Sequence, residues 1–162
     1  EHLSSVIYNL RDIGCHISVK QDQMLISGPS RPKAVDIIRT LPYPGFPTDM
    51  QAQIVSLLSV ASGTSIVIET VFENRYKHVE ELLRMGANIK LEGRLAVIKG
   101  VNKLKGASVT ARDLRGGAAL VLAGLAADGE TVVSGVKHID RGYESIENKL
   151  LQLGANIKRV ED

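Results

Sequence analysis

The chain has 162 residues, 44% apolar and 23% charged, an ordinary globular composition with enough length to bury a core. Twenty basic residues stand against 18 acidic ones, a formal charge of +2 with no run of about five like charges, which argues against a nucleic-acid surface. One cysteine, Cys15, excludes an internal disulfide and suits a reducing cytoplasm, and the absence of a long apolar run or a signal peptide gives no membrane segment.

The chain opens at Glu1-His2 within a helical pattern and without Met, which points to a piece cut from a longer protein. The first predicted element is a helix that stops at Gly14, within NLRDIGCHISV (9–19), and enters a strand. Leu25-Ile26 closes a hairpin with Asp22 in its turn. Cys15, between Gly14 and that strand, reads as a buried structural thiol rather than a nucleophile.

A bend from Pro44 to Pro47 then leads into FPTDMQAQ (46–53) and a helix from Thr48 to about Ala61. Thr48 and Gln51 fit a capping box. Met50, Ile54, Leu57, Leu58 and Ala61 form one apolar stripe, with Gln53 and Ser56 turned away from it. Asp49 falls at the first helical position, at the positive end of the dipole. Two readings stay open for it: a carboxylate that complements the dipole, or a base for a substrate packed over the tip.

SGTSIVIETVFENRY (62–76) follows as a β-branched strand ending at Arg75. Next come a helix stopping at Gly86 and a hairpin in which Ile89, Leu91, Leu95 and Val97 alternate around a Glu92-Gly93 turn. A second long helix runs from about Asp113 to Ala127, with Arg115 in its first turn and Gly116-Gly117 suited to close packing or a ligand. DGETVVSGVKHIDRGY (128–143) reads as another strand, ending at Arg141, and LLQLGANIK (150–158) as a helix entering a strand.

These pieces repeat. GANIK stands at 86–90 and 154–158, and IGCHISV is a weaker third copy, so Gly14, Gly86 and Gly154 recur at intervals of 72 and 68 residues. The unit is helix–hairpin–helix–strand, a mixed α/β (α+β) repeat of roughly βαβαββ type, with two complete units and part of a third. Arg75, Arg115, Arg141 and Asp49 occupy corresponding edges, which side-by-side packing would gather at one end. Clustered arginines suit an anion bearing carboxylate and phosphate. The competing reading pairs each with a local acid: Arg75 with Glu73, Arg115 with Asp113, Arg141 with Glu144. His2, His16, His78 and His138 lack metal-ligand spacing, so no metal and no cofactor is assigned.

FPTDMQAQ, TVFENRY, ARDLRGGAALVLAGLAADG and HIDRGYESIENKLLQLGANI together resemble the C-terminal portion of the UDP-N-acetylglucosamine enolpyruvyl transferases. The resemblance spans essentially the whole chain. It implies two domains, each an inside-out α/β barrel of three βαβαββ units, with residues 1–162 forming a partial barrel within the C-terminal one. The implied reaction moves enolpyruvyl from phosphoenolpyruvate to the 3-hydroxyl of UDP-N-acetylglucosamine and releases phosphate, the first committed step of peptidoglycan synthesis. By the same resemblance Asp49 binds that hydroxyl and is its general base, and the backbone of Val71 contacts the nucleotide sugar. Arg141 engages phosphoenolpyruvate, while Arg75 and Arg115 give electrostatic support.

The family's loop cysteine, which protonates the enol carbon, has no match here, nor does its Lys-Asn pair. The chain alone is therefore expected to be one inactive wall of a site whose remainder belongs to an N-terminal domain. An unpaired barrel edge would invite a second copy. The alternatives are an enolpyruvylshikimate phosphate synthase using shikimate 3-phosphate, a non-catalytic sugar-nucleotide-binding relative, and, least favoured by the charge balance, a nucleic-acid module.

Overall fold

The computed structural model describes residues 2–160. Helix α1 (Ser4–Asp12) leads into the antiparallel hairpin β1 (His16–Lys20) and β2 (Gln23–Ser27). Strand β3 (Ile37–Arg39) precedes a 3-10 turn (Thr48–Met50) that runs into α2 (Gln51–Leu58). Strand β4 (Thr64–Ile68), helix α3 (Val79–Arg84) and the hairpin β5 (Asn88–Glu92)–β6 (Leu95–Lys99) follow. The last elements are β7 (Ser108–Thr110), α4 (Leu114–Ala126), β8 (Val132–Ser134), α5 (Lys137–Asp140) and α6 (Ile146–Gln152).

The central sheet has the order β3-β4-β6-β5, with β3 parallel to β4 and the other pairs antiparallel. From β3 to β6 the chain therefore forms one full βαβαββ unit. Counted from each helix instead, two units are complete and α6 begins a third, as the repeats imply. Each unit also holds a strand that sequence pattern does not reveal, β3 or β7. Both are three residues long with a single buried side chain, Ile38 or Val109, too short to show alternation.

Gly14, Gly86 and Gly154 all end their helices with positive φ, at +110°, +85° and +89°. The hairpin turn is Gly93-Arg94 rather than Glu92-Gly93: Glu92 pairs with Leu95, and Gly93 takes the left-handed conformation. The GANIK copy at 154–158 forms no strand, since residues 154–160 pair with no other strand among the described residues. The strands expected to reach Arg75 and Arg141 stop earlier. β4 ends at Ile68 and β8 at Ser134, and Arg141 follows the short helix α5.

The main core gathers Ile38, Val55, Leu58, Val67, Leu82, Met85, Ile98, Leu104 and Leu120. A smaller cluster of Ala111, Val121 and Ile139 lies on the other side of α4. Helix α2 is buried almost all round between the sheet and α4. Ser56, expected on an outer face, instead donates to the Ala119 carbonyl of α4 at 3.0 Å. On the side of the smaller cluster Gly117 allows close approach, because a Cβ there would lie 2.6 Å from Ile139 and 2.8 Å from Ala111. Cys15 is half-buried and free rather than fully buried.

Candidate active site

The first turns of α2 and α4 lie side by side, and this brings opposite charges together. Pro47 holds the chain extended, and the single 3-10 turn Thr48–Met50 carries Asp49 ahead of α2. Arg75 donates through Nη2 to Asp49 Oδ1 at 2.8 Å, and Arg115 through Nη2 to Oδ2 at 2.8 Å. The Asp49 side chain remains 56% exposed, so it faces solvent while both oxygens are engaged. Its pKa is lowered, chiefly by the Arg115 hydrogen bond, against a desolvation that raises it, with the Arg115 charge and then Arg75 adding to the lowering. Asp49 is thus ionised at neutral pH, and its exposed oxygens keep lone pairs that can accept from a hydroxyl.

The capping box does not form. Thr48 Oγ1 reaches away from its helix to Glu69 Oε2 at 2.9 Å, and no side chain caps the turn. The buried carboxylate just past β4 competes for the hydroxyl and wins, because an unpaired buried charge is costly. Nor do the local acid pairs form. Glu73 binds Arg94 at 3.2 Å, Glu144 approaches Lys149 at 4.0 Å, and Asp113 caps α4 by accepting from the Gly116 amide at 2.7 Å.

Arg75 and Arg115 are instead each held over an aromatic ring. The Arg75 guanidinium lies 4.6 Å from the centre of Phe72, and that of Arg115 lies 5.5 Å from Tyr143. Tyr143 accepts from Arg115 Nη1 at 3.2 Å and from Gln53 Nε2 at 2.9 Å, which ties the segment after α5 to α2 and α4. Arg141 stands two residues before this tyrosine. It is exposed and makes no ion pair among the described residues. An open cleft of about 470 Å³ is lined by Arg75, Tyr76, Lys77, Glu80 and Arg112, and Asp49 lies outside it.

Val71 sits in the bend after β4, where its amide donates to Glu69 Oε1 at 2.8 Å. Nearby, His78 is 2% exposed, with neither ring nitrogen hydrogen-bonded. Burial pushes its pKa down to about 4, and the negative charge of Asp113 opposes this, so the imidazole is neutral at physiological pH. Among the described residues, no three His, Cys, Asp or Glu side chains gather as metal ligands, and no helix is long and apolar enough to cross a membrane.

Asp49, Arg75 and Arg115 are therefore joined directly, while among the described residues no hydrogen bond or ion pair ties Arg141 to them. Sequence reasoning missed Glu69, Gln53 and the roles of Phe72 and Tyr143. The Arg-near-Tyr motif was visible, but not which tyrosine would serve an arginine. Glu69 had a usable signal, a lone acid inside the β-branched run Ile66-Val67-Ile68-Glu69-Thr70-Val71.

A family-level sequence profile for EPSP synthase (3-phosphoshikimate 1-carboxyvinyltransferase) matches residues 1–150. The chain belongs to this family. Among curated relatives, UDP-N-acetylglucosamine 1-carboxyvinyltransferase 2 of Caldanaerobacter subterraneus subsp. tengcongensis is 61% identical over 99% of this chain and 38% of its own length. UDP-N-acetylglucosamine 1-carboxyvinyltransferase of Geobacter metallireducens is 54% identical over 100% of this chain and 39% of its own. Of the solved structures, the enolpyruvyl transferase NikO from Streptomyces tendae superposes with a TM-score of 0.86 at 26% identity, covering 96% of this chain and 36% of that one. EPSP synthase from Acinetobacter baumannii gives 0.72 at 20% identity over 96% and 37%, a likeness of fold alone. The chain spans less than two fifths of the length of these relatives. The enolpyruvyl transferase fold that the resemblance implies is the one observed, over part of its extent.

Proposed function

We propose that this chain forms one wall of the active site of an enolpyruvyl transferase that joins phosphoenolpyruvate to the 3-hydroxyl of UDP-N-acetylglucosamine and releases phosphate. The observation that carries the reading is the Asp49 carboxylate held between Arg75 and Arg115, each at 2.8 Å. An ionised carboxylate at a helix tip can take a proton from a hydroxyl, and two guanidiniums beside it can neutralise the carboxylate and phosphate of the second substrate. An anion that draws Arg75 or Arg115 away from Asp49 would weaken the hydrogen bonds that lower its pKa, so binding one substrate would make Asp49 a stronger base toward the other.

Val71 presents backbone to the sugar nucleotide. The unpaired Arg141 meets phosphoenolpyruvate. The acid that protonates the enol carbon comes from the remainder of the protein, an N-terminal domain that closes the cleft, so the chain alone turns nothing over and its open edge favours self-association. The setting is the cytoplasm, and the product serves peptidoglycan synthesis and so cell shape and division. The names of relatives 52 to 61% identical support the sugar nucleotide as acceptor. The family profile's own description keeps shikimate 3-phosphate as the second reading.

The test is phosphate release from phosphoenolpyruvate by the complete protein, with each acceptor in turn and with Asp49→Ala. Release with only the sugar nucleotide, largely lost in the variant, is expected. Release with only shikimate 3-phosphate moves the acceptor, and release with neither leaves a binding relative.

A further inference from the structure

The residue that holds the site together is not among those that line it. Glu69 follows β4 and is 1% exposed, yet no cationic side chain pairs with it among the described residues. Four donors converge on it. Oε1 accepts from Thr40 Oγ1 at 2.9 Å, the Val71 amide at 2.8 Å and the Phe72 amide at 3.1 Å. Oε2 accepts from Thr48 Oγ1 at 2.9 Å. Thr40 extends the network by accepting from the Thr70 amide at 2.9 Å, and Thr70 Oγ1 donates back to the Thr40 carbonyl.

These donors lie on the pieces of chain that carry the site. Thr48 adjoins Asp49. Val71 bears the backbone assigned to the sugar nucleotide. Phe72 is the ring over which Arg75 is held. A carboxylate concentrating hydrogen bonds this way, at a bend with few other restraints, fixes the relative position of the Asp49 turn and the 70–75 segment.

We infer that Glu69 is a positioning residue for sugar-nucleotide binding, acting by clamping the Val71–Phe72 bend to the Thr48–Asp49 turn. This rests on the transferase reading above and deepens it. Its negative charge is not essential in this account. The carbonyl oxygen of a glutamine accepts the same three bonds, and its amide nitrogen donates to Thr48 Oγ1, which has lone pairs to accept. An alanine leaves two backbone amides and two hydroxyl protons without their acceptor and frees the bend.

The experiment compares the complete protein with Glu69→Ala and Glu69→Gln, well below their melting temperatures. It measures KM and kcat for phosphate release, the Kd for UDP-N-acetylglucosamine, and amide hydrogen exchange. For Glu69→Ala a rise in KM and Kd for the sugar nucleotide of about tenfold or more is expected, from the loss of several buried bonds. Exchange at Val71 and Phe72 should rise with it, while exchange in α3 and β6 stays unchanged. Glu69→Gln should restore KM to within about threefold.

A merely structural role gives another pattern, because KM does not depend on how much enzyme is folded. Glu69→Ala with reduced rate, unchanged KM and Kd, and exchange raised throughout the chain or nowhere overturns the proposal. If the wild-type protein releases no phosphate, the transferase reading fails by itself. Exchange at Val71 and Phe72 together with the Kd then still decides whether Glu69 positions a sugar-nucleotide site.

Discussion

Residues 37–76 and 108–143 are built on one plan and end as different tools. Each runs short strand, helix, strand, then an arginine near a tyrosine. The first helix opens on Asp49 and the second on Arg115, so packing two copies of the plan side by side creates an ion pair at the seam. In the first copy β4 lies inside a four-stranded sheet, and the bend beyond it is pinned by Glu69. Arg75 is consequently held. In the second, β8 pairs with β7 alone among the described residues, the chain passes through α5, and Arg141 is left exposed.

The tyrosines diverge in the same sense. Tyr76 is buried, donates to the Val67 carbonyl at 2.8 Å, and has its pKa raised by burial to about 12. Tyr143 is half-buried and supports Arg115. Duplication supplies matching positions, and neighbouring strands decide which become fixed and which stay available to a ligand.

The largest effect is expected where the two copies meet. Asp49→Asn should reduce phosphate release by the complete protein about 10³-fold, within the range for a positioned base. A reduction under about tenfold would return Asp49 to a dipole-complementing role, since that contribution is small. Next comes the packing contrast. Leu82→Ala in the main core and Ile139→Ala in the small cluster should each cost about 2–5 kcal/mol in urea unfolding, with Leu82→Ala nearer the upper end. Equal costs would mean that the small cluster is packed as firmly as the main core.

A pH titration probes His78. Its folded pKa lies below its unfolded value, so below pH 6.5 the unfolded chain binds a proton that the folded chain refuses until about pH 4. Stability should therefore fall as the pH drops through that window, by on the order of 3 kcal/mol in total. His78→Phe should flatten this part of the curve, and an unchanged slope would assign it to another group. Asp49, with its pKa also lowered, adds a smaller loss only as the pH falls below its ordinary value of 3.8. Smallest is Arg141→Lys. Losing the guanidinium fork should raise KM for phosphoenolpyruvate about tenfold with little change in stability. A stability loss comparable to that of Leu82→Ala would mean that Arg141 is not free.

Much of this was readable from residues alone. The three glycine-ended helices, the hairpin of Ile89 and Val97, the unit count and the gathering of Asp49 with Arg75 and Arg115 all followed from repetition and periodicity. Those features depend on local conformation or on the spacing of similar segments, which a sequence states directly.

What only the tertiary structure decided concerns choice among partners. Thr48 could cap its own helix or satisfy a buried carboxylate, and Arg75 could pair with Glu73 or Asp49. Such choices turn on distances between segments tens of residues apart and on the cost of leaving a buried charge unpaired. The sequence by itself therefore determined which groups meet at this end of the protein. Burial of Glu69 and the packing of α2 against α4 decided which of them bind each other.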